Sequence, residues 1–257
     1  MRKLKVVFLV MRNVRNWLPL LLARAGLGPF PPRILLRNGL VIAMPATDGG
    51  GWGEVFEPLI ADVYRSPCGF RGLIVDIGAN AGAFTLLAAW RNPEATVFAF
   101  EPQAKVLEIL RENLQTNGLG RVRSFADPVT GDGRAVCFGE SQERPGSSGI
   151  HYQEGNRAVR PSVTLDVVPW RNASSAFLKL DCEGAEGEIL QWIAEHREIL
   201  PANLQVVAEY HPWCPVPLAE SLVRMQRAGF ACSTEEAFQE TYFRAVRGDP
   251  KAFSVRA

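Results

Sequence analysis

The stretch from Gly72 to Pro102 constrains the fold of this chain more than any other part of it. Leu73-Ile74-Val75-Asp76-Ile77 is a short apolar run, and Gly78-Ala79-Asn80-Ala81-Gly82 is a glycine-rich turn. A helical pattern follows, and Val97-Phe98-Ala99-Phe100 then leads into Glu101. That order predicts a buried strand, a turn, a helix and a second strand, which is half of a nucleotide-binding α/β unit. Glycine at 78 and 82 adds no Cβ, so backbone can approach a ligand closely there. Glu101, at the carboxyl end of the second strand, is placed to accept hydrogen bonds from both hydroxyls of one ribose.

The spacing argues against a dinucleotide. A pyrophosphate turn wants Gly-x-Gly-x-x-Gly, whereas Asn80 stands at the second glycine and Ala83 at the third. Asp76, at the mouth of the first strand, suits a cationic ligand better than a diphosphate. S-adenosylmethionine carries adenosine, an ammonium and a sulfonium but no phosphate, and it fits this pattern. A nicotinamide-dependent dehydrogenase shares the strand–turn–helix unit without this turn. A glycine turn that only packs strand on helix is the plain structural alternative.

A chain of 257 residues accommodates one large α/β domain with an appendage. The expected division is an N-terminal helix and hairpin extension over 1–70, acting as lid or platform, and a cofactor domain over 71–257. Within the extension, Gly26 to Pro32 ends any helix, and Asn38-Gly39 between apolar runs predicts a hairpin over Arg33–Ala43. A helix is expected from Glu54 to Tyr64. Residues 1–25 alternate basic and apolar side chains, which suits either a capping helix packed on the domain or a basic amphipathic helix in peripheral contact with a membrane surface. Arg12 and Arg15 interrupt the first apolar run, against a secretory signal. The net charge of +1 gives no general reason to expect nucleic acid as a partner. Five cysteines without a Cys-x-x-Cys pair read as free thiols in a reducing, cytoplasmic setting.

From residue 73 onward strand and helix alternate. Strands are expected at 73–77, 96–101, 122–126, 176–180 and 205–209, and helices at 82–91, 103–116, 185–197 and 217–228. The alternation implies a parallel, doubly wound sheet with ligand outside the carboxyl ends of its strands. Asp76, Glu101, Asp127, Asp181 and Glu209 all fall at such ends. Residues 127–175 form a β-rich excursion, with Ser147, Ser148 and His151 on a loop. The tail is expected to return a hairpin and to finish with a strand over 252–255.

A second segment, Phe177-Leu178-Lys179-Leu180-Asp181-Cys182-Glu183-Gly184-Ala185-Glu186, again runs from strand to turn to helix. Glu186 and Glu188 suit a helix N-terminus for dipole reasons. Asp181 and Glu183 lie on the turn, and Lys179 shares a strand face with Asp181 and is expected to pair with a carboxylate. Glu209 and His211 share a face at the next strand end. These residues either bind a divalent metal, with Asp181, Glu183 and His211 as ligands, or supply a general base beside groups that position a polyol. A buried ion-pair network around Lys179 is the third reading.

With both segments quoted, the chain resembles the FkbM family of S-adenosylmethionine-dependent methyltransferases. The likeness rests on Val75–Gly82 with Phe84-Thr85-Leu86, Ala99–Pro102, Asn113-Leu114, Asn117, Val163–Asp166, Lys179–Glu186 and Glu209-Tyr210-His211. It implies a Rossmann-like class I methyltransferase fold with seven strands, the last antiparallel. It implies O-methylation of a hydroxyl on a small-molecule, sugar or glycan acceptor. It places Asp76, Gly78, Asn80 and Gly82 around the methionine part of the cofactor, Glu101 on the ribose and Asp127 on the adenine amino group. Asp181, Glu183, Glu209 and His211 then face the acceptor as catalytic groups. A protein that binds the cofactor without catalysis is the alternative from a different class.

Overall fold

The computed structural model describes residues 2–44, 52–140 and 156–253. Two helices open the chain, α1 (Arg2–Asn13) and α2 (Trp17–Arg24), followed by a hairpin of β1 (Arg33–Leu35) and β2 (Val41–Ala43). The 1–25 stretch splits because Val14 bridges to Leu36 and Asn16 turns its amide onto β1. Asn16 Nδ2 donates to the Arg33 carbonyl at 2.8 Å, and its Oδ1 accepts from the Leu35 N–H at 2.9 Å. The hairpin pairs Ile34 with Ile42, as the Asn38-Gly39 turn predicted.

The helix expected over 54–64 is instead one α-turn, α3 (Trp52–Val55), that widens into a π-turn over Phe56–Ile60. Pro58 accounts for the widening. It has no N–H to continue an i→i−4 ladder, so the Ala61 N–H reaches back five residues to the Phe56 carbonyl. Chain direction then changes at Asp62 and Arg65, both with positive φ, and this turn delivers Tyr64 to the interior.

Alternation then proceeds as β3 (Leu73–Ile77), α4 (Ala83–Arg91), β4 (Thr96–Phe100), α5 (Ala104–Thr116) and β5 (Arg123–Phe125). The excursion is a two-stranded ribbon, β6 (Val136–Glu140) and β7 (Asn156–Arg160), with short 3-10 turns after it. The predicted loop bearing Ser147, Ser148 and His151 lies outside the described residues. Next come β8 (Ser175–Leu180), α6 (Glu186–Glu195), β9 (Asn203–Glu209), α7 (Leu218–Arg227), β10 (Ala231–Ala237) and β11 (Glu240–Arg247). The strand expected at 252–255 is a 3-10 turn over Pro250–Phe253 where described, preceded by the positive-φ Gly248.

The main sheet has seven strands in the order β10-β11-β9-β8-β3-β4-β5. β3, β4, β5, β8 and β9 run parallel, while β11 is antiparallel to both β9 and β10. This is the class I methyltransferase arrangement, with its last strand antiparallel. Strand order reverses between β3 and β8, and a ligand crevice belongs outside that switch point.

Side chains alternate across the sheet. Ile74, Val97, Phe177 and Val207 face α4, α5 and the N-terminal elements, while Val75, Phe98, Leu178 and Val206 face α6 and α7. Each fully buried Leu, Ile or Phe in these layers contributes roughly 1.5–3 kcal/mol. The N-terminal extension belongs to the first layer: Val10, Leu20, Ile34 and Ile42 join one cluster with Ile74 and Phe84. Asn113 of α5 and Asn117 at its C-cap fasten β2 through side-chain hydrogen bonds to the backbone of Ala43 and Val41. Among the described residues no helix is long and apolar enough to cross a membrane, and all five cysteines are free thiols.

Candidate active site

A cavity of about 270 Å³ opens at the carboxyl ends of β3, β4, β8 and β9, where the reversal of strand order leads one to look for it. Its first half is largely backbone. Gly78 adopts φ +74° and sits against the start of the β8 turn, so close that a Cβ there would lie 1.7 Å from the Asp181 carbonyl oxygen. Asn80 takes the left-handed region at φ +50°, with its own Oδ1 accepting from the Ala81 N–H at 2.6 Å. Its backbone N–H donates to Glu101 Oε2 at 2.8 Å, and the Gln103 N–H donates to Glu101 Oε1 at 2.8 Å. The turn and the second strand end are therefore locked together through Glu101.

Burial pushes the Glu101 carboxyl up to about 7, against the opposing pull of those two N–H donors. Each Glu101 oxygen takes one backbone donor and keeps further acceptor capacity for a hydroxyl. Asp127 lines the wall beyond β5.

Two residues expected beside the cofactor lie elsewhere. Asp76 is fully buried beneath the cavity and is not on its wall. It accepts a short hydrogen bond from Thr85 Oγ1 of α4 and pairs with Lys179 Nζ at 3.1 Å. Its part is to hold Lys179, because strand alternation turns position 76 towards α4 and the adjacent strand places Lys179 directly beside it. Gly82, at φ +92°, faces α5: a Cβ there would meet Leu110 Cδ1 at 2.4 Å, so this glycine serves helix packing.

The second half of the cavity is made of side chains. Lys179 is buried and donates to the Gly78 carbonyl at 2.6 Å, with Asp181 Oδ2 at 3.4 Å. Burial alone would lower the Lys179 pKa, but the charges of Asp76 and Asp181 raise it, so it remains a cation. Asp181, Glu183 and Glu209 reach the cavity wall, but His211 stands behind them. His211 Nε2 lies 3.9 Å from Asp181 Oδ1, 3.7 Å from Glu183 Oε2 and 3.9 Å from Glu209 Oε1.

Glu186 fixes the far side of that ring. It is fully buried on the first turn of α6, and its Oε1 lies 3.0 Å from His211 Nδ1. The same carboxylate accepts from the Cys182 and Gly184 N–H groups, which marks it as an acceptor and places the His211 proton on Nδ1. Burial would lower the imidazole pKa, but the hydrogen bond to Glu186 and the charges of Glu186, Asp181 and Glu183 carry it to about 10. That shift favours the protonated ring, so His211 is placed to balance the charge of the surrounding carboxylates.

Burial with neighbouring negative charge raises the carboxyls around it, Glu183 to about 7 and Glu209 to about 8. Two tyrosines hold Glu209: the Tyr64 hydroxyl bonds Glu209 Oε2 at 2.8 Å and Asp181 Oδ2 at 2.9 Å, and Tyr242, opposite Glu209 in the β9–β11 register, approaches Oε2 at 3.3 Å. Tyr242 also bonds Glu57 at 2.9 Å, and burial brings Glu57 to about 7. Among the described residues, one group of side chains is spaced so that it could hold a metal ion. Donor atoms of Asp181, Glu209 and His211 all lie within 4.8 Å of one another. Glu183 does not belong to that set, although the sequence placed it there ahead of Glu209.

Tyr64, Tyr242 and Glu57 are not signalled as site residues by the sequence, and Glu186 reads there only as a helix N-terminal acid. The first three come from segments far from the strand-end motifs, and nothing local to them signals a site. Glu186 carried a faint signal: a carboxylate between Ala185 and Gly187, beside the turn rather than on a solvated face.

The residues present fit S-adenosylmethionine. Glu101 offers unused acceptor capacity at the end of β4, the wall is acidic, and Lys179, the basic residue of that wall, is already committed to Gly78, Asp76 and Asp181. Such a donor set favours a cationic nucleoside over a phosphate ligand. Fold and site together define a class I methyltransferase. Residues 76–230 match the methyltransferase FkbM domain, and the chain belongs to that family. It is similar to methyltransferase sdnD of Sordaria araneosa, with 27% identity over 218 residues, covering 72% of this chain and 82% of the relative. Methyltransferase 1 of Beauveria bassiana (strain ARSEF 2860) is 23% identical over 177 residues, covering 60% and 70%. Among solved structures it is similar to a SAM dependent methyltransferase from Aquifex aeolicus, at TM-score 0.45 and 12% identity, covering 76% of this chain and 92% of that one.

Proposed function

We propose that this S-adenosylmethionine-dependent methyltransferase transfers the methyl group to oxygen, on a hydroxyl of a small-molecule or glycan acceptor. The observation that carries this reading is the convergence of Asp181, Glu183 and Glu209 on the wall of the cavity that Gly78, Asn80 and Glu101 also line. An acceptor hydroxyl loses its proton as its oxygen attacks, and a carboxylate within hydrogen-bond reach is the group that accepts it. The cofactor, held by Asn80, Glu101 and Asp127, supplies an activated methyl group. Asp181, steadied by Lys179 and Tyr64, orients the hydroxyl. Glu183, whose charged neighbour is His211, takes the proton. His211 acts from behind as a positioning residue, balancing negative charge that would otherwise drive the three carboxylates apart. Alignment of the reacting groups and exclusion of water supply the rest of the rate.

One geometric feature favours a second version of the same chemistry. The Asp181, Glu209 and His211 atoms could hold a divalent cation, which would displace the His211 Nε2 proton and lower the pKa of the acceptor hydroxyl. Methyl transfer to sugar and polyketide alcohols, before and after treatment with a chelator, separates the versions. Activity that survives chelation supports the base; activity restored by magnesium or manganese supports the cation. Asp181→Asn and Glu183→Gln are each expected to lower kcat by about 10²–10⁴-fold while cofactor affinity stays near that of the parent. Full turnover by both variants overturns the assignment.

A further inference from the structure

We propose that the outer face of α1 and α2 docks the protein onto an anionic lipid bilayer. α1 is apolar on two faces. Val6, Leu9 and Val10 pack inward onto the core, while Leu4, Val7, Phe8 and Met11 point away from it at the i, i+3, i+4, i+7 spacing of a single stripe. Leu4 is 77% exposed and Phe8 61%. Leu18 and Leu22 of α2 and Leu27 in the turn after it are exposed as well. One isolated leucine on a surface needs no explanation, but a stripe of four apolar side chains along one exposed helix face, with more on the next helix, marks an interaction site.

Charge selects the partner. The first acidic residue of the chain is Asp48, whereas lysine and arginine recur from Arg2 to Arg37. The chain as a whole carries only +1, so positive charge is concentrated at this end. Lys5, Arg12 and Arg15 are exposed beside the apolar patch, and the nearby Glu112 is occupied by Arg33 at 3.0 Å. Apolar side chains flanked by cations match the boundary between acyl chains and anionic headgroups. A second copy of this chain would set cation against cation. A nucleic acid would meet the cations but leave Leu4, Val7 and Met11 unburied. No described helix can span a bilayer, so α1 and α2 would lie along its surface. Nothing in this inference depends on the chemistry of the cavity.

Co-sedimentation of the whole chain with vesicles tests it. Binding is expected to vesicles of phosphatidylcholine with phosphatidylserine, to weaken with salt, and to be far lower with phosphatidylcholine alone. Replacing Lys5 and Arg12 by Gln should weaken partitioning about 5-fold for each charge removed. A Leu4→Ser/Phe8→Ser variant should lose at least about 10-fold. Retained S-adenosylmethionine binding in solution confirms that each variant is folded. No binding to phosphatidylserine vesicles overturns the proposal, as does undiminished binding by the Leu4→Ser/Phe8→Ser variant. A parent dimer that this variant dissociates, without vesicle binding by either, makes the patch a subunit interface and also overturns it. Retention on RNA alone does the same.

Discussion

At the tips of β3 and β4 the cavity is bounded by backbone, with Gly78 and Asn80 in left-handed conformations and Glu101 gripped by two N–H groups. At the tips of β8 and β9 it is bounded by side chains, and their positions depend on Lys179, Glu186, Tyr64 and Tyr242. The first half is held by backbone hydrogen bonds: the Gly78 and Ala79 N–H groups donate to the Phe100 carbonyl, and those of Asn80 and Gln103 to Glu101. The second half concentrates like charges and holds them with a buried lysine and an imidazolium. A constant ligand suits a surface made of backbone. A surface of side chains can change without disturbing the sheet, which suits the half of the cavity that faces an acceptor.

The sharpest way to break that contrast is where the two halves approach most closely. In Gly78→Ala a methyl group would have to occupy space 1.7 Å from the Asp181 carbonyl oxygen, at a φ of +74° that alanine disfavours. Backbone cannot retreat there, because the Asp181 N–H is bonded to the Ile77 carbonyl at 3.1 Å. The expected cost is at least about 3 kcal/mol of folding stability, with loss of cofactor binding. Gly82→Ala meets only the end of the Leu110 side chain and should cost about 1–3 kcal/mol with binding retained. Urea denaturation with calorimetric titration of S-adenosylmethionine checks both. Equal effects at the two glycines would show that the close strand approach is not the critical contact.

A smaller effect, confined to the side-chain half, is expected from Glu186→Gln. The amide can still accept from a backbone N–H but no longer offers a charge to His211. We predict a fall in kcat of about 10–100-fold with cofactor affinity unchanged. The pH dependence follows from the sign of the shift. The folded pKa of His211 is raised from 6.5 to about 10, so its contribution to stability is complete below 6.5 and is lost as pH rises through 10. Without the Glu186 charge that upper limit moves down, and the alkaline fall in activity should move down with it. A pH–rate profile unchanged in shape would mean that Glu186 serves only the α6 N-terminus.

The same contrast explains what could be read before the structure. Leu73–Ile77, the Gly78–Gly82 turn and Glu101 are contiguous or one crossover apart, and strand period, glycine placement and the ribose carboxylate are local signals. They predicted the sheet and brought Gly78, Asn80 and Glu101 to one wall of the cavity. Asp181, Glu183, Glu209 and His211 were found because they too end strands. Their supports were missed because Tyr64 enters from a π-turn caused by Pro58, Tyr242 from the antiparallel last strand, and Glu186 looked like an ordinary helix-start acid. Asp76 misled for a related reason: its place at a strand mouth is local, but whether it faces ligand or core is set by Thr85 and Lys179 on neighbouring elements.

The smallest predicted effect concerns Glu101, the one side chain on which the backbone half relies. Burial raises its carboxyl from 4.5 to about 7, only partly offset by the Asn80 and Gln103 donors. Its contribution to stability is therefore complete below 4.5 and is lost as pH rises through about 7, so the ligand-free protein should lose a few degrees in Tm across that window. Glu101→Gln cannot ionise, and its component of the slope should vanish, while one backbone hydrogen bond worth about 1 kcal/mol is given up. With the ribose acceptor weakened, cofactor affinity should drop about 10-fold, a far milder loss than in Gly78→Ala. Thermal melts of parent and variant across the window, with and without S-adenosylmethionine, provide the measurement. Parallel melting curves would mean that Glu101 is no more desolvated in the folded chain than in the unfolded one, and the backbone half would then owe its rigidity to Gly78 and Asn80 alone.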